Sequence, residues 1–229
     1  RMPSRGLGDV YKRQVISLLL IAQPDIGQTL LVVFCWAALI FTSGINIYVL
    51  LATFIVGSSF LAYLIIYVPR FDYIQGRIFS FFNRETGTHN FQSDKAIESI
   101  TSGGFFGKGI GEGVLKNRVP EAHTDYIISV ISEEFGVVAI MLILLLFLIL
   151  IYMVFKKISF ETNDKVKLIL IGSISLILMQ ATIHIGVNIR LFPTTGMTLP
   201  FLSYGGSSII STSILAGIIL NLTKRKTTN

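Results

Sequence analysis

Acidic side chains stand at the start of one of the most apolar segments of this chain. Residues 120–136 read PEAHTDYIISVISEEFG and space Asp125, Ser129 and Glu133 four positions apart. Residues with this spacing share one face of a helix, and Glu133 is then roughly 12 Å below Asp125. An ionisable side chain at membrane depth is a functional hypothesis by default. Of the two acids, Asp125 is nearer to water and is the better candidate for chemistry.

Structural roles compete with this interpretation. Asp125 can cap the helix that follows it, because acids in a first turn are stabilised by the helix dipole. For Glu133 and its neighbour Glu134, a buried hydrogen-bond network is the favoured role.

A second polar stripe runs through the apolar segment 166–189. Gln180, His184 and Asn188 recur every four residues there. Interhelical hydrogen bonding accounts for such a stripe. A metal-binding role for His184 is the alternative, but the sequence offers it no second ligand at helical spacing. The stripe is therefore predicted to be structural.

Two glycine-containing segments are predicted to surround Asp125. The stretch SGGFFGKGIGEG (102–113) fails the P-loop pattern, since Ser102 replaces the first glycine and Gly109 follows Lys108 where Ser or Thr is needed. A surface or re-entrant turn whose N–H groups and Lys108 meet an anionic headgroup is favoured instead. The stretch RLFPTTGMTLPFLSYGGSS (190–208) reads as irregular backbone, which membrane proteins tolerate where it lines a cavity. Together these features predict an outward-facing polar cavity that receives a lipid-linked substrate.

The composition indicates a membrane protein. Hydrophobic residues make up 52% of the 229 residues and charged residues 14%, with a mean hydropathy of +0.70, whereas a soluble domain carries about 25% charged residues. The net charge of +6 does not indicate nucleic-acid binding, because the basic residues cluster beside apolar runs, as in cytoplasmic loops. These residues are Lys156, Lys157, Lys165, Lys167, Lys224, Arg225 and Lys226. The single cysteine, Cys35, excludes an intrachain disulfide.

The hydropathy pattern predicts an all-α, polytopic protein. Five spans are predicted, at 26–43, 46–68, 126–155, 166–189 and 204–222, after a partial helix at 15–22 that is too short to cross a bilayer. With the basic loop and the C-terminus in the cytoplasm, the stretch 69–125 lies outside and includes a short helix from Ser93 to Ile100, capped by Ser93. The long span 126–155 either tilts or extends its first turns above the hydrocarbon. Residues 1–14 read as a non-native or disordered leader, which leaves 15–229 as one membrane domain.

Four stretches together resemble the SEDS family of membrane proteins (FtsW, RodA and SpoVE): QPDIGQT (23–29), GKGIGEG, PEAHTDYIISVISEEFG and PTTGMTLPFLSYGGSS. They occur in family order across residues 15–229, and they look more like the division branch, FtsW, than the elongation branch, RodA. The resemblance implies a ten-helix fold in the bacterial inner membrane, of which this chain holds about the last five and a half helices. It also implies a glycosyltransferase that polymerises lipid II into glycan strands at the division septum. The implied partners are lipid II, the nascent glycan, a class B penicillin-binding protein and other divisome membrane proteins.

The resemblance also implies roles for individual residues. Asp125 would act as general base on the 4-hydroxyl of the acceptor N-acetylglucosamine, while undecaprenyl pyrophosphate leaves the donor. The candidates for neutralising that leaving group are Lys108, Arg190 and a divalent cation, Mg²⁺ or Mn²⁺. Further predicted substrate contacts lie in the same motifs: His123, Thr124, Ser203, Gly205, Gly206 and Ser207.

Three other functions remain open at this level: an elongation polymerase, a transporter that flips lipid II, and a non-catalytic division scaffold. A transporter predicts polar lining through the full depth of the bundle, whereas the polar residues here concentrate in the outer half. A scaffold predicts that Asp125→Asn leaves function intact. This chain alone is expected to be inactive, because the earlier helices of the family have no counterpart in it.

Overall fold

The computed structural model describes residues 26–82, 88–114 and 119–224, and all regular structure within these ranges is helical. Seven α-helices follow in this order: α1 (Ile26–Thr42), α2 (Ile47–Tyr67), α3 (Asp72–Phe82), α4 (Thr88–Gly103), α5 (Ile127–Phe160), α6 (Asp164–Asn188) and α7 (Gly206–Thr223). A short 3₁₀ turn, Pro69–Phe71, joins α2 to α3. The predicted all-α class is therefore confirmed. The proposed leader 1–14 and the partial helix 15–22 lie outside the described residues.

Four of these helices, α2, α5, α6 and α7, are long and apolar enough to cross a membrane by length and composition. The apolar helix α1 is shorter, with 17 residues. The five predicted spans correspond to these five helices, and the largest difference is the end of α5, which continues to Phe160. The link to α6 is short because Asn163 accepts a hydrogen bond from the N–H of Lys165 and starts the next helix.

The segment predicted as an external loop contains two helices, α3 and α4. The predicted short helix capped by Ser93 is wrong in its bounds, because α4 begins at Thr88 and Ser93 lies buried within it. Its buried Ser99 faces α5 and donates hydrogen bonds to the carbonyl of Ser129 (3.2 Å) and to a Glu133 carboxylate oxygen (3.1 Å). The segment is thus a packed part of the fold that lies against the start of α5.

Helix α5 is interrupted at Gly136, whose φ of 76° and ψ of −175° are not helical. The glycine-rich loop after α4 completes the interrupted turn, since its backbone both donates to and accepts from the backbone of α5. The four hydrogen bonds are Lys108 N–H to Glu133 O (2.8 Å), Gly109 N–H to Glu134 O (3.0 Å), Val137 N–H to Gly104 O (3.0 Å) and Val138 N–H to Phe105 O (3.3 Å). The N–H groups of Lys108 and Gly109 therefore bind helix carbonyls. The prediction that they face an anionic headgroup is wrong.

The interruption also bends α5. Its 34 residues would extend about 51 Å as one straight helix, whereas the 25 residues of α6 extend about 37 Å. The two helices are joined by residues 161–163 at one end, and at the other end the Asn188 amide of α6 donates to the Asp125 carbonyl (3.0 Å). Both ends can meet only if the first part of α5 turns aside at Gly136. We call this end of the bundle the Asp125 end.

The transmembrane part is held by apolar packing of α5, α6 and α7. Val154, Leu170, Ile174, Ile177 and Ile219 form a buried cluster between these three helices. Helix α1 packs along α6, where the Cys35 thiol lies 3.7 Å from the carbonyl oxygen of Gly172. Helix α2 has no buried residue in the described structure, so its apolar surface is free for lipid or further helices.

Candidate functional site

Asp125 lies in a turn that precedes α5. The N–H groups of Thr124, Asp125 and Tyr126 all point to the carbonyl of Glu121, at 3.1, 3.0 and 3.3 Å. The helix begins at Ile127 with Tyr126 as its N-cap residue, and no side chain caps it. Helix capping by Asp125 is therefore wrong, and so is the predicted stripe with Ser129 and Glu133, because Asp125 is outside the helix.

The Asp125 carboxylate faces a cavity of about 200 Å³ at this end of the bundle. Four segments contribute its walls: α3, α4, the turn before α5, and the end of α6 with the irregular segment that follows. The lining residues are Arg77, Gln92, Glu121, Asp125, Tyr126, Val187, Thr194, Gly196 and Met197. Gly196, with a φ of +70°, brings the backbone so close that a Cβ there would lie 3.6 Å from Asp125 Oδ2.

The environment of Asp125 favours its protonated form. Burial raises the pKa of its carboxyl above the ordinary 3.8, and the nearby Glu121 carboxylate raises the pKa further. The positive charge of Arg77 opposes this rise in pKa. A raised pKa brings a carboxylate closer to the basicity that proton abstraction near neutral pH requires.

Three consecutive carbonyls hold the Asp125 turn in place. The His123 carbonyl accepts from the Tyr204 N–H (3.0 Å), and the Thr124 carbonyl accepts from the Ser203 hydroxyl (2.7 Å). The Asp125 carbonyl accepts from the Asn188 amide (3.0 Å). Because the donors come from α6 and from the segment before α7, the position of the carboxylate is fixed by the packing of the bundle.

The stripe of Gln180, His184 and Asn188 contributes to the same arrangement. The Gln180 amide donates to the carbonyl of Thr198 (2.9 Å), and Nδ1 of His184 lies 2.7 Å from the carbonyl oxygen of Met197. These contacts reach the irregular segment 190–205, and Asn188 reaches the Asp125 turn. The predicted interhelical hydrogen bonding is confirmed for Gln180, whose amide also donates to the Ser208 hydroxyl on α7 (3.1 Å). His184 and Asn188 instead contact backbone carbonyls.

We expect Asn188→Ala to lower the stability of the protein by about 2 kcal/mol, because the side chain is fully buried and its loss leaves the partly buried carbonyl of Asp125 without this donor. The side chain also donates to the carbonyl of His184 (2.9 Å), and that bond is lost as well. Thermal unfolding in detergent should show a clearly lower midpoint. The matched control is Asn46→Ala at the exposed start of α2, for which a much smaller shift is expected. Equal shifts for both variants would contradict the prediction.

Two cations predicted to contact substrate have acidic partners elsewhere. The ammonium of Lys108 lies 3.6 Å from a carboxylate oxygen of the fully buried Glu133. Arg190 forms an ion pair with Asp94 on α4. Neither side chain lines the cavity. Glu134 accepts a hydrogen bond from the N–H of Gly111 (3.1 Å), so both glutamates contact the glycine-rich loop.

The other predicted substrate contacts lie outside this cavity. Ser203 is buried, and its hydroxyl accepts from the Leu199 N–H (2.8 Å) while it donates to the Asp125 turn. Gly205 is the N-cap of α7, and Gly206 and Ser207 are its first residues. The Thr124 hydroxyl is directed to Glu121, whereas the His123 side chain lines a separate apolar hollow with Ile127, Leu202 and Tyr204. Of the residues predicted to act in catalysis or to contact substrate, Asp125 is the one that lines this cavity.

The cavity is lined by three charged or amide side chains that sequence reasoning missed: Arg77, Gln92 and Glu121. Arg77 was part of an aromatic stretch, FDYIQGRIFSFF, that gave no sign of facing Asp125. The sequence offered one signal: Tyr73 and Arg77 are four residues apart, the spacing at which side chains on one helix face interact. In the structure the guanidinium carbon of Arg77 lies 4.2 Å from the centre of the Tyr73 ring.

No group of three or more His, Cys, Asp and Glu side chains in residues 26–82, 88–114 and 119–224 is arranged to hold a metal ion. The predicted divalent cation stays a prediction. Mg²⁺ is commonly held by one or two carboxylates together with substrate phosphates. Glu121 and Asp125 are the cavity residues that fit such a role.

The fold and the site define a multi-pass helical membrane protein with an acidic residue in a polar cavity at one end of its bundle. Residues 10–228 match the family model of the FtsW/RodA/SpoVE cell cycle proteins, and the chain belongs to this family. This agrees with the SEDS resemblance of its motifs.

Individual relatives give the same result. The chain is 37% identical over 210 residues to a probable peptidoglycan glycosyltransferase FtsW of Caulobacter vibrioides, covering 91% of this chain and 52% of that protein. It is 32% identical over 224 residues to the protein of the same name from Enterococcus hirae, covering 92% of this chain and 56% of that protein. The chain thus spans about half the length of the curated relatives it matches.

Solved structures share the fold. A chain from a peptidoglycan synthase complex, whose structure concerns the coordination of polymerization and crosslinking, superposes with a TM-score of 0.71 at 25% identity, covering 94% of this chain and 62% of that chain. An aspartate-to-alanine mutant of the rod shape determining protein RodA from Thermus thermophilus superposes with a TM-score of 0.60 at 27% identity, covering 93% of this chain and 55% of that chain.

Proposed function

We propose that this protein, at the full length of its relatives, is a peptidoglycan glycosyltransferase that polymerises lipid II during septal wall synthesis. The observation that carries the proposal is the Asp125 carboxylate, half-buried and facing a polar cavity into which four segments converge. Burial raises its pKa, which suits a proton acceptor. The relatives named FtsW support the choice of substrate and of the division role.

In the proposed reaction Asp125 accepts the proton of the acceptor sugar's 4-hydroxyl. The hydroxyl oxygen then forms a bond to the anomeric carbon of the donor sugar. The bond between that carbon and the diphosphate oxygen breaks, and the polyprenyl diphosphate leaves with the electron pair. Holding both sugars beside the carboxylate makes the step effectively unimolecular, which supplies a large part of the acceleration. The three hydrogen bonds to the Asp125 turn keep the base in position while this happens.

The charge distribution supports an orientation for this enzyme. Lys156, Lys157, Lys165 and Lys167 lie at the end of the bundle opposite Asp125, and basic residues favour the cytoplasmic side. In the proposed orientation the cavity therefore faces outward, where glycan strands are made, and the C-terminus is cytoplasmic. The membrane is the bacterial inner membrane at the division septum. The similarity to a chain of a peptidoglycan synthase complex supports a class B penicillin-binding protein as partner. Other divisome membrane proteins are further proposed partners, on the resemblance of the motifs alone.

Lipid II polymerisation tests this function directly. The full-length protein, purified with its penicillin-binding partner and incubated with lipid II, is expected to produce glycan chains of increasing length on a gel. A folded complex that binds lipid II and forms no polymer would contradict the proposal.

Polymerisation should increase with pH through the titration of Asp125. Because the carboxyl must be ionised to accept a proton, activity is lost as pH falls through its pKa. Burial and Glu121 raise that pKa above 3.8, so the acidic limb of kcat/KM should lie above the range of an ordinary carboxyl. Glu121 and Arg77 are the charged side chains that line the cavity with Asp125, and Tyr126 is its other titratable group. Initial rates of polymerisation, measured from pH 4 to 9 in lipids whose headgroups do not titrate in this range, define the acidic limb. A rate that does not change with pH would contradict the prediction.

A further inference from the structure

Three large apolar side chains of the glycine-rich loop after α4 are exposed. Phe105, Phe106 and Ile110 have 75%, 84% and 78% of their surface accessible. Single apolar side chains on a protein surface are ordinary, whereas several large ones close together mark a contact with another protein or with a membrane. We call these three side chains the loop tip.

The loop tip adjoins an apolar face of α5. The carbonyl of Phe105 accepts a hydrogen bond from the N–H of Val138 (3.3 Å). Val138 is the first of a series of exposed apolar residues with helical spacing, which places them on one face of α5. The series is Val138, Met141, Leu142 and Leu145. Because α5 is long and apolar enough to cross a membrane, the loop tip continues a surface that is suited to lipid.

The attachment point of the loop coincides with one edge of the hydrocarbon. Residues 137–155 of α5 include no charged side chain, and Lys156 and Lys157 follow directly. As a helix, the stretch from Val137 to Lys156 is about 29 Å long, which matches a hydrocarbon core about 30 Å thick. With the two lysines at one edge of the core, the loop that binds α5 at Val138 lies at the other edge.

The backbone of the loop is also suited to this position. Peptide groups near lipid need partners within the protein, because water is not there to replace them. Five N–H groups between residues 107 and 112 have such partners. The bonds are Gly107 N–H to Gly103 O (2.8 Å), Lys108 N–H to Glu133 O (2.8 Å), Gly109 N–H to Glu134 O (3.0 Å), Gly111 N–H to Glu134 Oε1 (3.1 Å) and Glu112 N–H to Gly109 O (3.3 Å).

The charged side chains of the loop fit the edge of the hydrocarbon and not its interior. The ammonium of Lys108 lies 3.6 Å from a Glu133 carboxylate oxygen, and the Glu112 side chain is exposed. A long charged side chain at the edge can keep its head in water while apolar neighbours enter the lipid. The loop tip therefore enters the part of the acyl-chain region that lies next to the headgroups.

We propose that the loop tip inserts into the acyl chains of the lipid leaflet at the Asp125 end of the bundle and anchors α4 there. The inference goes beyond the glycosyltransferase proposal and does not depend on it. Helix α4 also carries Gln92, which lines the Asp125 cavity, and it bonds to α5 through Ser99. The anchor therefore sets the height of the cavity above the hydrocarbon.

Collision of a nitroxide label with oxygen and with a nickel chelate tests the insertion, because oxygen concentrates in lipid and the chelate stays in water. The full-length protein in a cysteine-free form, with its penicillin-binding partner in phosphatidylcholine liposomes, is labelled at Phe106→Cys or Ile110→Cys. Leu145→Cys on the exposed face of α5 is the lipid control, and Thr162→Cys in the exposed link between α5 and α6 is the water control. All four positions are exposed, so labelling should not disturb the fold.

The ratio of oxygen to nickel collisions at both loop positions should exceed that at Thr162→Cys about tenfold, as for side chains buried below the headgroups. It should stay below the ratio at Leu145→Cys, which is nearer the middle of the hydrocarbon. A ratio equal to that of Thr162→Cys would place the loop tip in water and overturn the inference. Low collision rates with both reagents would show that protein covers the loop tip, and they would overturn it as well.

Brominated lipids test the depth separately. A fluorophore attached at Phe106→Cys should be quenched more by lipids brominated near the headgroup than by lipids brominated near the chain end. Stronger quenching by the deep bromines would contradict the position at the edge of the hydrocarbon. Both measurements are made without substrate, so their result and the result of the polymerisation experiment are independent.

Discussion

Asp125→Asn should abolish glycan polymerisation, with a loss of at least about 100-fold in rate, the lower end of what a positioned base contributes. Asparagine has nearly the same shape, so the carbonyl bonds to Asn188, Ser203 and Tyr204 can persist while the proton acceptor is lost. Because burial already disfavours the charged form of Asp125, removing the charge should not destabilise the fold. The variant is therefore expected to purify normally and to bind lipid II.

The measurement compares products on a gel from the full-length complex supplied with lipid II. Asp94→Asn is the matched control, since Asp94 lies at the same end of the bundle, pairs with Arg190 and does not line the cavity. Polymer from the wild type and this control, and none from Asp125→Asn, is the expected pattern. Equal polymer from all three would remove Asp125 from the mechanism and would also suit a scaffold. No polymer from any of them, with lipid movement across liposomes, would favour a transporter.

Gly136→Ala should severely impair folding. The φ and ψ of Gly136 fall in a region that is essentially restricted to glycine. A Cβ at this position would also lie 2.2 Å from the carbonyl oxygen of Phe105, which is a backbone atom and cannot rotate away. We expect a loss of more than about 3 kcal/mol, since backbone strain alone costs of order 1–3 kcal/mol.

Thermal unfolding and the monodisperse yield after detergent extraction measure this effect. Gly217→Ala is the matched control, because it lies within α7 and a Cβ there meets no atom within 4 Å. That control should be neutral or slightly stabilising, as alanine is the better helix former. An unchanged midpoint for Gly136→Ala would mean that the turn after α4 does not hold α5 as described.

The sequence predicted the helices that are long and apolar enough to cross a membrane, and the acid at one end of them. Spans of about 20 apolar residues carry a strong signal, because lipid admits few alternatives to a helix. Asp125 was found since a charge beside such a span is unusual. Its surroundings were misread, because the helix begins two residues later than the spacing of Asp125, Ser129 and Glu133 assumed. A shift of this size moves a side chain from a helix face into a turn.

Other features of the site depend on contacts between distant parts of the chain. Arg77 meets Thr194 across more than a hundred residues, and periodicity within α3 contains no information about that partner. The role of the glycines at 103–109 was hidden for the same reason, because their backbone pairs with α5 about 30 residues later. Lys108 and Arg190 looked free as isolated cations, whereas folding brings Glu133 and Asp94 to them.

The shared turn between the glycine-rich loop and α5 has a consequence for how this part of the chain can vary in length. Residues 104–109 and 133–138 pair in a fixed register, so one residue inserted between Gly103 and Gly109 would offset the donors of the loop from the acceptors of the helix. Near the hydrocarbon, mismatched peptide groups have no water to replace their partners. The lengths of these two stretches, although far apart in sequence, are therefore constrained together, and insertions can be accommodated only outside them.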